Sequence, residues 1–168
     1  LRALGDVKGL RVAVDAANGA VGLIWERIFK DSGLEVVPLY LEPDGTFPNH
    51  EPNPLKDENL ADLIEAVKEH NCAAGVAFDG DGDRCRFVDE TGRAIGADII
   101  TAMVAVRRLR RAAGAAVVYD IRSSRVVPEE IEAAGGKPVV CRVGRAYMKE
   151  KMREVDADFG GELSGHFY

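Results

Sequence analysis

Three aspartates stand at alternate positions in the stretch from Phe78 to Arg86, which reads FDGDGDRCR. Asp79, Asp81 and Asp83 carry like charges at neutral pH, and holding them close together costs free energy unless a cation lies among them. Only glycine separates them, so the backbone can turn tightly enough to direct all three carboxylates to one point. Ligands that are all oxygen favour a hard cation, so this stretch predicts a Mg²⁺ site.

Arg84 directly follows the acidic triplet. Its planar guanidinium keeps a fixed positive charge and can donate two hydrogen bonds at once to a phosphate. An arginine beside a metal ion is the combination expected where a phosphate group is bound. We therefore predict that Arg84 contacts a phosphate next to the metal.

Two other interpretations of the triplet are weak. A solvated acidic turn would explain an isolated Asp-Gly pair, but it explains poorly three carboxylates in register after an apolar strand. An EF-hand calcium loop also begins Asp-x-Asp-x-Asp, and Glu90 stands at its twelfth position. Arg84, however, occupies the sixth position, where the turn needs glycine, and residues 85–88 predict a strand where a helix should follow.

Two further hypotheses stay open. Phosphatases of the haloacid dehalogenase type carry Asp-x-Asp after an apolar strand, with the first aspartate as nucleophile and the second as acid/base. Asp79 and Asp81 fit that order, although Asp83 stands where threonine or valine is usual. The second hypothesis is a Mg²⁺-binding interaction module without catalytic activity.

A strand that is apolar throughout, residues 73–78, leads into the triplet. Such a strand is typical of a parallel sheet covered on both faces, and open α/β sheets place their ligands at the carboxyl ends of the strands. Before it, the sequence predicts a strand over 10–14, a helix over 21–29, a strand over 34–41, a proline-rich loop over 42–54 and a helix from Asp57.

The pattern repeats in the second half of the chain. It predicts a helix over 99–109, a strand over 115–119, a helix from Pro128, a strand over 137–143 and a helix over 147–155. Asp15 and Asp120 each end the first strand of a half, and Phe78 and Phe159 each end the third. We predict an α/β fold of two consecutive βαβ-type domains, 1–93 and 94–168, with mixed, mainly parallel sheets flanked by helices.

Composition limits the possible functions. The chain has 168 residues and a formal net charge of −6, which argues against a general nucleic-acid surface. No apolar run approaches the roughly 20 residues that a membrane-spanning helix needs. The three cysteines are scattered and odd in number, which predicts buried, reduced thiols in a cytoplasmic protein.

Two loops, read together, resemble the α-D-phosphohexomutase superfamily, in particular its phosphomannomutase/phosphoglucomutase branch. The first is DGDGDR from Asp79 to Arg84, and the second is GELSGH from Gly161 to His166. The loop DGTFPNH at 44–50 and the segment Val143-Gly144 are similar to the same branch. The resemblance covers nearly the whole chain and corresponds to the second domain and most of the third domain of a four-domain enzyme.

The resemblance implies roles for the matching residues of the first loop. Asp79, Asp81 and Asp83 would be the Mg²⁺ ligands, with a fourth ligand from a phosphoserine in a domain outside this chain. Arg84 would be catalytic, because it would contact the phosphate during transfer.

The resemblance also implies a substrate site in the second half. Glu162 and Ser164 would bind sugar hydroxyls, and a carboxylate can indeed accept hydrogen bonds from two vicinal hydroxyls at once. His166 would be a catalytic residue next to the substrate. Arg122 and Arg145 would attract the substrate phosphate; many members have lysine and histidine at these two positions.

The implied reaction interconverts hexose 1-phosphate and hexose 6-phosphate through a phosphoserine and a bisphosphorylated sugar. Its cofactors would be Mg²⁺ and a hexose 1,6-bisphosphate, and its substrate a phosphohexose. The family's phosphate-donor loop, Thr-x-Ser-His-Asn-Pro, is absent from this sequence. We therefore expect the chain to be the central part of a cytoplasmic, monomeric mutase and to be inactive without the N- and C-terminal domains.

Overall fold

The computed structural model describes residues 7–168, which fall into two compact units. The first unit ends at Ile95, and the second runs from Gly96 to Tyr168. Each unit has its own sheet and its own helices. Within residues 7–168, none of the helices combines the length and the apolar character that a bilayer-spanning segment needs.

The first unit is built on a five-stranded sheet with the order β2-β1-β3-β4-β5. Its strands are β1 (Arg11–Asp15), β2 (Glu35–Leu39), β3 (Ala74–Phe78), β4 (Cys85–Asp89) and β5 (Ala94–Ile95). Strands β1, β2 and β3 are parallel, whereas β4 and β5 are antiparallel to their neighbours. The chain therefore reverses between β3 and β4, and the acidic triplet lies in this reversal.

Helix α2 (Ala61–Glu69) covers this sheet with one apolar face. Leu63 and Val67, four residues apart on the helix, are fully buried and lie against Gly75 of β3. A Cβ at Gly75 would approach their side chains to within 3 Å, so glycine is what lets the helix lie close to the strand. The buried core of the unit comprises Ala13, Leu60, Leu63, Ala66, Val67, Cys72, Ala77 and Val88.

The single helix predicted over residues 21–29 is wrong in extent. The structure has a 3₁₀ turn at Ala20–Leu23 and then a short helix, α1 (Trp25–Phe29). Ile24 interrupts the helix because its φ of −124° lies outside the helical region. As a result the apolar spacing does not form a buried face: Val21 is buried, but Ile24 and Ile28 are exposed.

The second unit is built on a three-stranded parallel sheet with the order β7-β6-β8. Its elements are α3 (Ala97–Leu109), β6 (Ala116–Asp120), α4 (Val126–Ala133), β7 (Lys137–Cys141), α5 (Arg145–Glu154) and β8 (Phe159–Gly161). One core cluster contains Val117 and Ile131, and a second, smaller one contains Val118 and Met148. The predicted α/β fold with mixed, mainly parallel sheets flanked by helices is confirmed.

The two units share one strand order. In each, the first strand lies between the second and the third, and all three are parallel. The first strand ends in a fully buried aspartate in both cases, Asp15 and Asp120. The proposed match of Phe78 with Phe159 is wrong, because Phe78 ends β3 whereas Phe159 begins β8.

Candidate functional site

The acidic triplet forms the tight reversal between β3 and β4. One carboxylate oxygen from each of Asp79, Asp81 and Asp83 lies within 4.8 Å of the others. Gly82 makes the turn possible, because its φ of +76° is a left-handed conformation that side chains rarely adopt. Asp79 is buried with 1% exposure, Asp83 is half-buried and Asp81 is exposed. The three residues are therefore close together, with one open side toward solvent.

Arg84 is the immediate partner of the buried aspartate. Its backbone N–H donates to Oδ1 of Asp79 at 3.1 Å, and its Nε donates to Oδ2 at 2.5 Å. A buried carboxylate without such donors would be costly, so the two hydrogen bonds from Arg84 compensate for the burial of Asp79. Arg84 itself stays 29% exposed. The guanidinium thus lies beside the triplet, as the sequence predicts, and reaches solvent.

The donor set of the triplet fits a Mg²⁺ ion. Adjacent oxygen ligands around Mg²⁺ at about 2.1 Å lie about 3 Å apart, so carboxylate oxygens that are within 4.8 Å of one another need to move together by at most about 2 Å to bind one ion. The neighbouring thiol of Cys85 does not compete, because burial and the charge of Asp79 raise its pKa to about 11 and keep it protonated. The residues present therefore suit a hard divalent cation.

The burial of Asp79 weighs against the phosphatase alternative. An aspartate nucleophile must reach the phosphorus of its substrate, but Asp79 is 1% exposed and both its oxygens accept hydrogen bonds from Arg84. The exposed member of the triplet is Asp81, which that mechanism would use as acid/base. The arrangement suits metal ligation better than nucleophilic attack.

In the second unit, Glu162 follows β8 and is buried, with 1% exposure. Its Oε1 accepts a hydrogen bond from the backbone N–H of Gly144 at 2.9 Å, and its Oε2 accepts one from the hydroxyl of Tyr168 at 2.7 Å. Gly144 precedes Arg145, the first residue of α5, so Glu162 joins the loop after β8 to the start of that helix. Its carboxylate has partners before any sugar binds.

Ser164 and His166 lie in the same loop as Glu162 and are more accessible. Oγ of Ser164 shares a hydrogen bond of 2.8 Å with Nδ1 of His166, and this same nitrogen is 3.6 Å from Oε2 of Glu162. The loop is closed by backbone hydrogen bonds from Glu162 to His166 and from Gly165 to Glu162. The structure thus brings together all three residues that the sequence assigns to this loop.

Arg122 is connected to this loop through Asp120. Oδ2 of Asp120 accepts a hydrogen bond from the guanidinium of Arg122 at 2.8 Å and one from the backbone N–H of Leu163 at 2.9 Å. Oδ1 accepts from the backbone N–H groups of Arg122 and Ser123. Asp120 has zero exposure, whereas the Arg122 side chain is 44% exposed. Arg122 is therefore held at the edge of the loop with its side chain partly in solvent.

Both loops lie in regions of the chain that match known protein families. Residues 4–92 match the family model described as phosphoglucomutase/phosphomannomutase, alpha/beta/alpha domain II, and residues 96–168 match the model for domain III. The chain belongs to the phosphoglucomutase/phosphomannomutase family. The resemblance drawn from the sequence is confirmed, and so is the assignment to the second and third domains of this family.

Individual members of the family are similar to this chain in sequence and in structure. A phosphomannomutase of Methanocaldococcus jannaschii is 47% identical over 158 residues, which is 94% of this chain and 35% of that protein. A solved structure of a phosphoglucomutase/phosphomannomutase family protein from Burkholderia thailandensis aligns over 99% of this chain and 37% of its own, with a TM-score of 0.92 and 39% identity. The chain spans about a third of the length of the relatives it matches.

A more distant structure shares the fold. The N-acetylphosphoglucosamine mutase of Aspergillus fumigatus, in complex with GlcNAc-6P and magnesium, aligns over 99% of this chain with a TM-score of 0.70 and 20% identity. At this identity the likeness concerns the fold of the phosphoglucomutase/phosphomannomutase domains alone.

The phosphohexomutase loop after β8 depends on a glycine at its base. A Cβ at Gly161 would lie 2.2 Å from Oγ1 and 2.7 Å from Cγ2 of Thr101, which is fully buried in α3. We expect Gly161→Ala to destabilise the second unit by about 1 to 3 kcal/mol through overpacking. Urea unfolding of the chain measures this change. Gly45→Ala is the control, because no atom lies within 4 Å of a Cβ at that position.

A second substitution, in α3, tests whether contact with Thr101 causes this overpacking. Thr101→Ala removes Oγ1 and Cγ2, the two closest atoms, so the double variant should be more stable than the sum of the two single changes predicts. Strict additivity would contradict a direct contact between these side chains.

Sequence reasoning missed three residues that organise these loops. It placed Asp15 and Asp120 at strand ends but gave neither a partner, and it quoted His50 only as part of a family loop. In the structure, Asp120 holds Arg122 and Leu163, and Asp15 forms an ion pair with His50. The one available signal was a carboxylate at the carboxyl end of a buried strand, where an unpaired charge would be costly.

Proposed function

We propose that this chain forms the two central domains of a Mg²⁺-dependent phosphomannomutase/phosphoglucomutase. The whole protein would interconvert hexose 1-phosphate and hexose 6-phosphate through a phosphoserine and a bisphosphorylated sugar. The observation that carries the proposal is the convergence of three carboxylates beside Arg84 in a member of this family. A cytoplasmic, monomeric enzyme with a hexose 1,6-bisphosphate as cofactor is part of the same proposal.

Asp79, Asp81 and Asp83 would hold the metal in this enzyme. When bound, Mg²⁺ supplies positive charge that neutralises phosphate oxygens during phosphoryl transfer. Arg84 binds the same phosphate with the part of its guanidinium that is not engaged by Asp79. Phosphoryl transfer needs charge neutralised and groups held in line more than it needs covalent chemistry from the protein. These residues therefore bind and orient the group that moves.

Glu162 and Ser164 would bind the sugar. Because Glu162 is buried and already accepts from the Tyr168 hydroxyl, the sugar hydroxyls must replace that donor when they bind. Ser164 can donate or accept toward a neighbouring hydroxyl. His166, bonded to Ser164, would lie beside the reacting oxygens as a catalytic residue. Arg122 and Arg145, both exposed to solvent at strand and helix ends, would attract the sugar phosphate.

A segment exchange tests this proposal. The 158 matched residues of the Methanocaldococcus jannaschii phosphomannomutase would be replaced by the corresponding part of this chain. We expect the hybrid to convert mannose 1-phosphate to mannose 6-phosphate, and we expect the isolated 168-residue chain to give no turnover with the same substrate and bisphosphate.

The reciprocal outcomes would contradict the proposal. Turnover by the isolated chain would show that the absent domains are not needed. A hybrid that folds with the relative's melting profile but lacks activity would show that this chain does not supply equivalent metal and sugar loops. Assays with both mannose and glucose phosphates would define the substrate preference.

A further inference from the structure

A buried histidine–aspartate pair lies at the carboxyl end of β1, and the reaction proposed above does not use it. Nε2 of His50 is 2.9 Å from Oδ2 of Asp15, and the two side chains are 13% and 0% exposed. Oδ1 of Asp15 accepts from the backbone N–H of Ala17 at 2.8 Å, which fixes the carboxylate. The pair therefore joins β1 to the loop over residues 42–54.

The geometry of this pair requires a bound proton. Nδ1 of His50 is 2.9 Å from the backbone oxygen of Glu51, so both ring nitrogens face an oxygen that accepts. A neutral imidazole has one N–H and can satisfy only one of these contacts. Both are made when His50 is protonated, or when Asp15 carries the proton instead. Loss of that proton leaves a nitrogen lone pair facing an oxygen.

The charged and polar groups around His50 favour the proton. Burial lowers the pKa of His50, but the carbonyl of Glu51 and the carboxylates of Asp15 and Asp62 outweigh it and raise the pKa above 6.5. Tyr40 contacts the imidazole edge-on and donates its hydroxyl to Asp62 at 2.6 Å. Burial also raises the pKa of Asp15, which keeps the shared proton within the pair.

The loop over 42–54 is bonded to the segment that follows β1. The backbone N–H of Asp44 donates to the oxygen of Asn18, and the amides of Asn18 and Asn49 complete the connection. Four residues here have left-handed backbones, with φ of 48° to 54°: Ala17, Asn18, Tyr40 and Phe47. Such conformations persist only where surrounding contacts hold them. The pair and these hydrogen bonds supply those contacts.

The segment after β1 and the loop over 42–54 both contact Gly80, which lies within the acidic triplet. The N–H of Ala20 donates to the oxygen of Gly80 at 2.9 Å, and a Cβ at Gly19 would lie 2.7 Å from that oxygen. From the other segment, Phe47 and Pro52 lie about 3.5 Å from where a Cβ of Gly80 would be. Gly80 separates Asp79 from Asp81, so contacts that hold Gly80 restrict the backbone from which these two carboxylates extend.

We propose that His50, acting through Asp15, is a positioning residue of the Mg²⁺ site: the protonated pair holds the segments 15–20 and 42–54 against Gly80, and its deprotonation weakens metal binding. The inference rests on the proposed function, because it takes the triplet as the metal site. It adds a dependence of that site on a proton bound at two other residues.

The sign of the pH effect separates positioning from simple electrostatics. Because the folded-state pKa of His50 lies above its unfolded value, the contribution of the pair is complete below about pH 6.5 and is lost as the pH rises through the folded-state value. Deprotonation also adds one negative charge to the unit, which by itself would strengthen Mg²⁺ binding. Positioning predicts the opposite, a fall of about 10-fold, which is the low end of the loss caused by removing a direct hydrogen bond to a metal ligand, because the pair reaches the triplet only through Gly80.

The experiment is a titration of the 168-residue chain with Mg²⁺ from about pH 6 to about pH 9, followed by calorimetry, with the His50 ring protons followed by NMR in the same samples. We expect the affinity to fall about 10-fold in step with the His50 titration. His50→Gln should bind Mg²⁺ about 10-fold more weakly near pH 6 and show no step. His70→Gln is the control, because His70 is exposed.

The remaining outcomes test either the positioning role of His50 or the proposed metal site itself. A flat pH profile, or an affinity that rises as His50 loses its proton, would overturn the inference. If the chain binds no Mg²⁺ at any pH, the proposed metal site fails, and the positioning is judged by hydrogen exchange of the Ala20 amide, which donates to Gly80. Faster exchange in His50→Gln, with no change in His70→Gln, supports the positioning; equal exchange overturns it.

Discussion

Replacing Asp81 by asparagine is expected to weaken Mg²⁺ binding by the chain about 100-fold or more. Loss of an outer-shell contact costs a metal site about 10- to 100-fold, and Asp81 is proposed as a direct ligand, so the loss should be at least as large. The side chain is exposed, which means that the change should leave the free energy of unfolding within about 0.5 kcal/mol of the original. Calorimetric titration with Mg²⁺ measures the first quantity and urea unfolding the second.

Asp31→Asn is the matched control for this change. It removes one carboxylate charge from an exposed position of the same unit but outside the triplet. A general effect of net charge on Mg²⁺ attraction would weaken binding in both variants, whereas a direct ligand affects Asp81→Asn alone. Unchanged binding in Asp81→Asn would remove the metal site from the proposed function.

The triplet could be predicted from the sequence because all its determinants are local. Three carboxylates two residues apart, separated by glycines and placed after a buried strand, define a tight reversal without knowledge of the rest of the chain. The alternation of strands and helices was readable for the same reason. The hydrophobic period and the composition of each short segment indicate whether it is a strand or a helix. The strand orders of the two sheets then follow common βαβ connections.

The parts that escaped prediction depend on contacts between distant segments. Asp15 and His50 are thirty-five positions apart, and nothing in the loop DGTFPNH indicates that its histidine reaches β1. Similarly, nothing in the loop GELSGH indicates that Gly144 and Tyr168 donate hydrogen bonds to the two carboxylate oxygens of Glu162. The helix over 21–29 failed because apolar spacing gives the period of a helix but not whether the rest of the unit covers it.

The two units share one strand order, and the buried aspartates Asp15 and Asp120 have the same structural role in it. In both units the carboxylate ends the first strand, and its Oδ1 accepts from the backbone N–H two residues later, Ala17 in one case and Arg122 in the other. Its Oδ2 is then hydrogen-bonded to a basic side chain, His50 or Arg122. Each aspartate thus anchors the segment beside a candidate ligand-binding loop while its own carboxyl group stays buried and hydrogen-bonded.

Asp120 has the larger number of partners, so its replacement should have the larger effect on stability. Its two oxygens accept from three backbone N–H groups, those of Arg122, Ser123 and Leu163, and from the Arg122 side chain. Removing the carboxylate leaves the N–H groups of Arg122 and Leu163 without their acceptor, whereas the N–H of Ser123 keeps its bond to the backbone oxygen of Asp120. Each buried unsatisfied donor costs about 1 to 3 kcal/mol, so we expect Asp120→Ala to destabilise the second unit by about 2 kcal/mol or more in urea unfolding.

Asp120→Asn should separate the hydrogen bonds to Arg122 and Ser123 from the hydrogen bond to Leu163. Its side-chain oxygen can still accept from the N–H groups of Arg122 and Ser123, but its amide nitrogen faces the N–H of Leu163, where two donors meet. We expect a smaller loss of stability than for alanine, together with faster hydrogen exchange of the Leu163 amide, because the loop over 162–166 is released while the turn at Arg122 and Ser123 after β6 is kept. Arg122→Gln, which removes a partner that is 44% exposed, should cost less than about 1 kcal/mol and leave that amide protected. If Leu163 exchanges equally in all three variants, Asp120 does not anchor the loop, and the resemblance between the two buried aspartates is limited to their position in the strand.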